Sequence, residues 1–279
     1  VYGTGDGEMY DPDGIQIVGS NLYLVEGINN RVQIFDLSGN YVSKFGTPGT
    51  GDGEFDHPSD IAIDTSGNMY VTDKLNNRVQ KFNSSGVFVS TFGTSGSATG
   101  EFIFPESIDF HEDYLYVSDT SNNRIQKFDL SGNFVSTFGE YGEGPGYFLN
   151  PVGIAFDSND NMYIVDSGNN RVQKFDSSGN FIMTFSGPGI ANGKLSSPVD
   201  IVLNSSDELV VTDQNMHRVQ KFSPLAQAPD APGSVTLTRG NASAIVAFDS
   251  PASDNGSAIL FYRITSTPGG IVATTTATS

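Results

Sequence analysis

One seven-residue string governs what this chain can fold into. Asn29-Asn30-Arg31-Val32-Gln33-Ile34-Phe35 returns at 76–82, 122–128 and 169–175, and in a worn form as Met216-His217-Arg218-Val219-Gln220-Lys221-Phe222. Its arginines, Arg31, Arg78, Arg124, Arg171 and Arg218, are 47, 46, 47 and 47 residues apart. A fixed period of this length marks a repeat architecture whose units bury their apolar faces on their neighbours. Within each period, short runs rich in β-branched and aromatic residues alternate with turn residues. In the second period they are 61–64, 69–73, 78–82 and 87–92, separated by Thr65-Ser66-Gly67-Asn68, a polar loop and Ser84-Ser85-Gly86. Four strands in roughly 40–50 residues predict one blade of a β-propeller. No window carries the i, i+3, i+4, i+7 apolar spacing of a helix, and a parallel β-helix needs much shorter coils.

These motifs resemble the NHL-repeat family. The matching residues are Pro151-Val152-Gly153-Ile154, Tyr163-Ile164-Val165-Asp166, Asn170-Arg171-Val172-Gln173-Lys174-Phe175 and Phe138-Gly139. The match runs over residues 1–223. The expected fold is therefore all-β: an NHL β-propeller with five four-stranded repeats, followed by a truncated β-sandwich. Val1-Tyr2-Gly3 aligns with Thr91-Phe92-Gly93, the end of a fourth strand, whereas no such strand follows Phe222. The resemblance implies six blades in the intact protein, with one preceding this segment. A closed five-bladed ring is the alternative.

Behind the repeats, residues 224–233 read as a Pro- and Ala-rich linker. Residues 234–279 resemble the first part of a fibronectin type III domain, with strands at 234–238, 244–248 and 260–265. Phe248 stands where that family carries Trp.

Charge narrows the function. Asp and Glu number 32 against 14 Lys and Arg, for a formal net charge of −18. Such a surface repels phosphate backbones, so no nucleic-acid partner is expected, although some animal NHL proteins bind RNA. No stretch approaches the roughly 20 apolar residues of a membrane span, so no membrane insertion is expected. The absence of cysteine removes disulfides, thiolate catalysis and cysteine-based zinc sites.

No catalytic constellation stands out. There is no Gly-x-Ser-x-Gly elbow and no phosphate-binding loop. The three histidines, His57, His111 and His217, hold different positions in the repeat. The peptidylglycine amidating lyases, similar propellers, place histidines from several blades on a metal. Here the residue before each repeat proline reads Asp11, His57, Phe104, Asn150 and Ser197, a single histidine. No metal ligands are assigned. Asp157-Ser158-Asn159-Asp160-Asn161 opens like a calcium loop but lacks its glycine and closing acid, so it reads as a hairpin turn.

The recurring acid–arginine pairs read as structural. They are Asp73 with Arg78, Asp119 with Arg124, Asp166 with Arg171 and Asp213 with Arg218, and Glu26 with Arg31 is a variant. Repetition in every blade argues for a buried pair. Function is sought instead where the repeats differ. The residues after each proline should ring the channel mouth, which makes Asp13, Asp60, Glu106 and Asp200 an acidic rim. Such a rim could hold Ca²⁺ or greet a cationic ligand; an acidic protein also carries acidic loops everywhere. The expected function is a non-catalytic binding or scaffold module of a secreted or cell-surface prokaryotic protein. It would recognise a protein, peptide or glycan through the face that carries the loops between blades and between second and third strands. The alternative is a metal-dependent lyase or lactonase-like enzyme with its site in the channel. No cofactor is assigned beyond that calcium.

Overall fold

Each repeat folds into one antiparallel sheet. The computed structural model describes residues 2–223 and, beyond them, the backbone of four strands. We letter the strands of each blade a to d from the channel outward. Blade 1 comprises Pro12–Val18, Asn21–Glu26, Arg31–Asp36 and Tyr41–Phe45. Blade 2 comprises Pro58–Ile63, Met69–Asp73, Arg78–Phe82 and Phe88–Phe92, and blade 3 Pro105–His111, Tyr114–Asp119, Arg124–Asp129 and Phe134–Phe138. Blade 4 comprises Pro151–Phe156, Met162–Asp166, Arg171–Phe175 and Phe181–Phe185. Blade 5 has three strands, Pro198–Leu203, Leu209–Asp213 and Arg218–Phe222. Among the described residues the five repeats form five blades, of which four are complete and the fifth lacks strand d, as the missing run after Phe222 implies. The sequence leaves strand c at Phe222 and reaches Pro224 two residues later, without an alternating run to continue the sheet.

Strand a starts earlier than its apolar run. Pro58 already pairs with Asp73, and the register slips before Ile61 pairs with Val71. Proline needs no ladder donor at the first position of a strand, and the bulge re-aims the two residues behind it. The same slip occurs in all five blades.

Alternation along strand a divides its side chains between two interfaces. Ile61 and Ile63 join Val25, Val32, Phe55, Met69, Val71 and Phe82 between blades 1 and 2. Ala62 faces the other way, into the layer shared with blade 3. Each layer is pinned by aromatic rings. Phe82 lies 4.7 Å from Phe45 of the preceding blade and 5.5 Å from Phe55 of the connection between the two. Phe128 repeats this with Phe92 and Phe102, and Phe175 with Phe138 and Phe148.

A polar latch crosses every junction as well. The residue before each repeat proline has a left-handed backbone, at Asp11 (φ 55°), His57 (48°), Phe104 (52°), Asn150 (50°) and Ser197 (55°). From His57 onward its N–H donates to an asparagine of the preceding blade. The distances are 2.8 Å to Asn30, 2.9 Å to Asn77, 2.9 Å to Asn123 and 2.6 Å to Asn170.

Two sequence expectations change. Tyr2 bridges Met9 as Ser95 bridges Phe102, and Gly3 (φ 159°) matches Gly96 (157°) rather than Gly93 (87°). Tyr2-Gly3 therefore belongs to the connection leading into strand a, not to the end of a strand d. The shared Tyr/Phe-Gly appearance hid a shift of three residues. The closed five-bladed ring is not formed either. Ile15 is 52% exposed where Ile61 is 2%, and Val219 is 63% exposed where Val79 is fully buried. The outer faces of blades 1 and 5 do not cover each other.

Residues 224–279 form a separate unit. Gly233–Arg239 pairs with Ala244–Asp249, and Phe261–Thr265 with Val272–Thr276, both antiparallel. Gly233 opens a strand rather than ending the linker. Residues 224–232 of that linker lie outside the described residues.

Candidate binding site at the channel mouth

Strand a is the innermost strand, so the first residues after each proline line the channel. Close approach there requires glycine: a Cβ on Gly14 would lie 2.6 Å from the Asp60 Cα, and one on Gly153 2.9 Å from the Asp200 Cα. The result is a cavity of about 310 Å³ walled by all five blades. Asp13, Asp60, Glu106 and Asp200 all line it, together with Ser59, Ser107 and Thr212.

The four acids do different things. Asp60 reaches across to blade 3, where its Oδ2 accepts hydrogen bonds from Ser107 Oγ (2.7 Å) and the Ile108 N–H (3.0 Å). Its Oδ1 accepts from the Ile61 N–H at 2.8 Å. Burial, and then the nearby Asp200 charge, push its carboxyl up to about 8. Asp13 is pushed up to about 6 by burial and by Glu106, with Lys74 opposing. Burial also raises Asp200. Glu106 is neutralised in part by Lys74, 2.6 Å away. The rim is therefore not a uniform anionic ring. It combines carboxyls held close to their protonated state with one surface ion pair.

Sequence reasoning missed Asp109. It stands two residues beyond the rim, where the other blades carry Gln16, Ala62, Ala155 and Val202. Burial pushes it up to about 7, against a hydrogen bond from the Phe110 N–H. Its signal was a lone carboxylate at a position otherwise mostly apolar.

The acids do not form a ready cation cage. Among the described residues one group of three metal-capable side chains converges, and it lies elsewhere, at His111, Glu112 and Asp160. Both oxygens of Asp60 are already engaged by protein donors, so calcium in the channel would require these carboxyls to rearrange.

The acid–arginine pairs sit away from the cavity, behind the connections between blades. Arg78 Nε lies 2.7 Å from Asp73, and its Nη2 donates to the carbonyls of Gly51 (2.7 Å) and Glu54 (2.8 Å). Gln80 and Asn76 donate to the same carboxylate. Asp119 with Arg124, Asp166 with Arg171, Asp213 with Arg218 and Glu26 with Arg31 repeat the arrangement at 2.7, 2.6, 2.8 and 2.5 Å. Each guanidinium is spent on folding down the connection that leads into its own blade. Asp157 caps its own turn, accepting from the Asn159 and Asn161 N–H groups at 2.9 Å, which leaves no open calcium loop.

A family model described as a 6-bladed beta-propeller (DUF5128) matches residues 4–69 and 105–188, just over half of the chain. The chain belongs to that family. An NHL repeat is matched separately over residues 195–222, the three-stranded last blade of this propeller. Among solved structures, the propeller is similar to virginiamycin B lyase from Staphylococcus aureus. The TM-score is 0.56 at 15% identity, over 96% of this chain and 84% of that one. A streptogramin B lyase structure is similar with a TM-score of 0.52 at 15% identity, over 78% and 83% of the two chains. At that identity the likeness is one of fold.

Proposed function

We propose that the propeller is a non-catalytic binding module that takes a cationic protein or peptide segment at its loop face. The observation that carries this is the meeting of four repeat-variable carboxyls, from four blades, on one cavity, with Lys74 the cation paired at its rim. A lysine or arginine side chain entering the mouth would restore the charge that burial suppresses on Asp13, Asp60 and Asp200. Outside the cavity, Tyr2, Tyr141 and Ile190 stand exposed on the connections between blades and offer apolar contact to the rest of such a segment. The fibronectin-like pattern of residues 234–279 favours a secreted or surface-attached prokaryotic protein.

Calorimetric titration with a lysine-rich peptide tests this. Binding should weaken steeply with salt and fall roughly tenfold in the Asp13→Asn, Asp200→Asn double variant. An equal charge change on the opposite face, Glu112→Gln with Asp113→Asn, should leave it nearly unchanged. Equal losses in both variants would reduce the effect to net charge and sink the reading.

One observation favours a second reading, a lyase. Burial pushes Asp60 up to about 8 and Asp109 up to about 7, the range in which a general acid works best at neutral pH. Mass-spectrometric loss of a streptogramin B substrate, abolished in Asp60→Asn, would support it; no turnover would remove it for that substrate.

A further inference from the structure

The face opposite the cavity carries the turns between strands a and b, and there blade 3 departs from its neighbours. In blades 2, 4 and 5 the sixth residue after the repeat proline, just past strand a, caps its own turn. Asp64 accepts from the Ser66 and Asn68 N–H groups, Asp157 from Asn159 and Asn161, and Asn204 from Ser206 and Glu208. Blade 3 has His111 at this position and a shorter turn, Glu112-Asp113. The imidazole makes no such cap. It stacks flat on Phe156 of blade 4, 4.0 Å between centroids and 3° from parallel, which fixes its plane. Its Nε2 edge then lies 3.1 Å from Asp160 Oδ1, on the neighbouring turn.

Glu112 completes the group. Glu112 (φ 55°) and Asp160 (φ 62°) are left-handed turn residues, one on each of the adjacent turns. Ligand atoms of His111, Glu112 and Asp160 all lie within 4.8 Å of one another. The next junction lacks this arrangement: there Ser158 takes both oxygens of Asp207, through its N–H (3.0 Å) and its hydroxyl (2.5 Å).

We propose that His111 Nε2 and the carboxylates of Glu112 and Asp160 form a divalent transition-metal site, of the zinc class, that clamps blade 3 to blade 4. Two donors on an ion at about 2.1 Å stand roughly 3.0 Å apart in octahedral and 3.4 Å in tetrahedral coordination, and the Nε2–Oδ1 separation falls in that window. An imidazole nitrogen beside two carboxylates suits zinc, cobalt or nickel and not calcium or magnesium, which take oxygen donors. Three protein donors leave at least one position for water, so the site is a clamp of moderate affinity, independent of whatever binds in the channel.

The experiment is calorimetric titration of the full chain with zinc chloride, repeated with magnesium chloride. One zinc per chain is expected, with no magnesium heat. His111→Ala should weaken zinc binding tenfold or more, Asp160→Asn should weaken it several-fold, and His57→Ala should leave it unchanged. Zinc should also raise the unfolding temperature of the parent chain but not of His111→Ala. All three side chains replaced are at the surface or partly buried, so the variants should fold, and circular dichroism checks this. Absence of zinc binding in the parent chain would overturn the proposal and leave His111–Asp160 as an ordinary hydrogen bond between blades. Zinc binding that survives His111→Ala would overturn it equally, by placing the ion elsewhere.

Discussion

Asp60 of blade 2 accepts a hydrogen bond from the Ser107 hydroxyl of blade 3 at 2.7 Å, so a carboxyl on the channel wall also joins two blades. Its second oxygen is held by its own strand, and the same carboxyl belongs to the proposed ligand cavity. Binding and blade cohesion therefore share one group.

This gives a pH dependence. With a folded pKa near 8 and an ordinary unfolded value near 4, Asp60 binds more protons in the folded state between those limits. Its favourable contribution is complete below about pH 4 and is lost as pH rises through 8. Thermal unfolding of the parent chain should show stability falling across this window. Asp60→Asn should flatten the fall, while losing about 1 kcal/mol at pH 5 because one N–H donor is left without an acceptor. An unchanged slope in the variant would mean that Asp60 ionises normally.

The acid–arginine pairs should differ in weight along the chain. Asp73 is fully buried and receives Arg78, Asn76, Gln80 and the Asp56 N–H. Asp73→Ala orphans all of them and should cost about 3–5 kcal/mol in denaturant unfolding. Asp213→Ala in blade 5 should cost less, because its partner Arg218 reaches solvent at the uncovered face.

Glycine 139 tests the aromatic wedge. Its φ is +88°, and a Cβ there would lie 2.3 Å from the Phe148 ring. Gly139→Ala should cost more than 2 kcal/mol, strain and overlap together. At Gly100 (φ +78°) nothing lies near the position a Cβ would take, so Gly100→Ala should cost only about 1 kcal/mol of backbone strain. Equal effects at the two sites would show that backbone strain alone decides.

Isoleucine truncation should report the uncovered edge. Ile61→Ala removes a buried side chain and should cost about 2–5 kcal/mol. Ile15→Ala, at the same place in blade 1, should cost under 1 kcal/mol in this chain. Chemical denaturation of both variants makes the comparison, and equal losses would mean that the face of blade 1 is covered in solution.

Blade number and strand order were legible because alternation and turn chemistry repeat five times, and Arg31 and its equivalents fix the register. What the repeat obscured was anything depending on a neighbouring blade. Asp60 reads as a rim acid, and only its reach to Ser107 shows it enclosed. Asp109 reads as one more strand residue, and only its burial in the folded sheet, which raises its carboxyl, sets it apart. Asn30 reads as part of the motif, although its side chain serves His57, 27 residues on. His111 and Asp160, 49 residues apart, have no sequence signal linking them.

The left-handed residue before each proline has a consequence for how the arc is built. A non-glycine residue is strained there, and the preceding blade's asparagine is what receives its N–H. That asparagine always comes earlier in the chain. Each blade thus presents the acceptor that secures its successor, and assembly can follow translation, every new blade docking on one already emerged from the ribosome. A blade synthesised ahead of its neighbour would have its N–H and its strain unanswered, a bias toward growth in one direction.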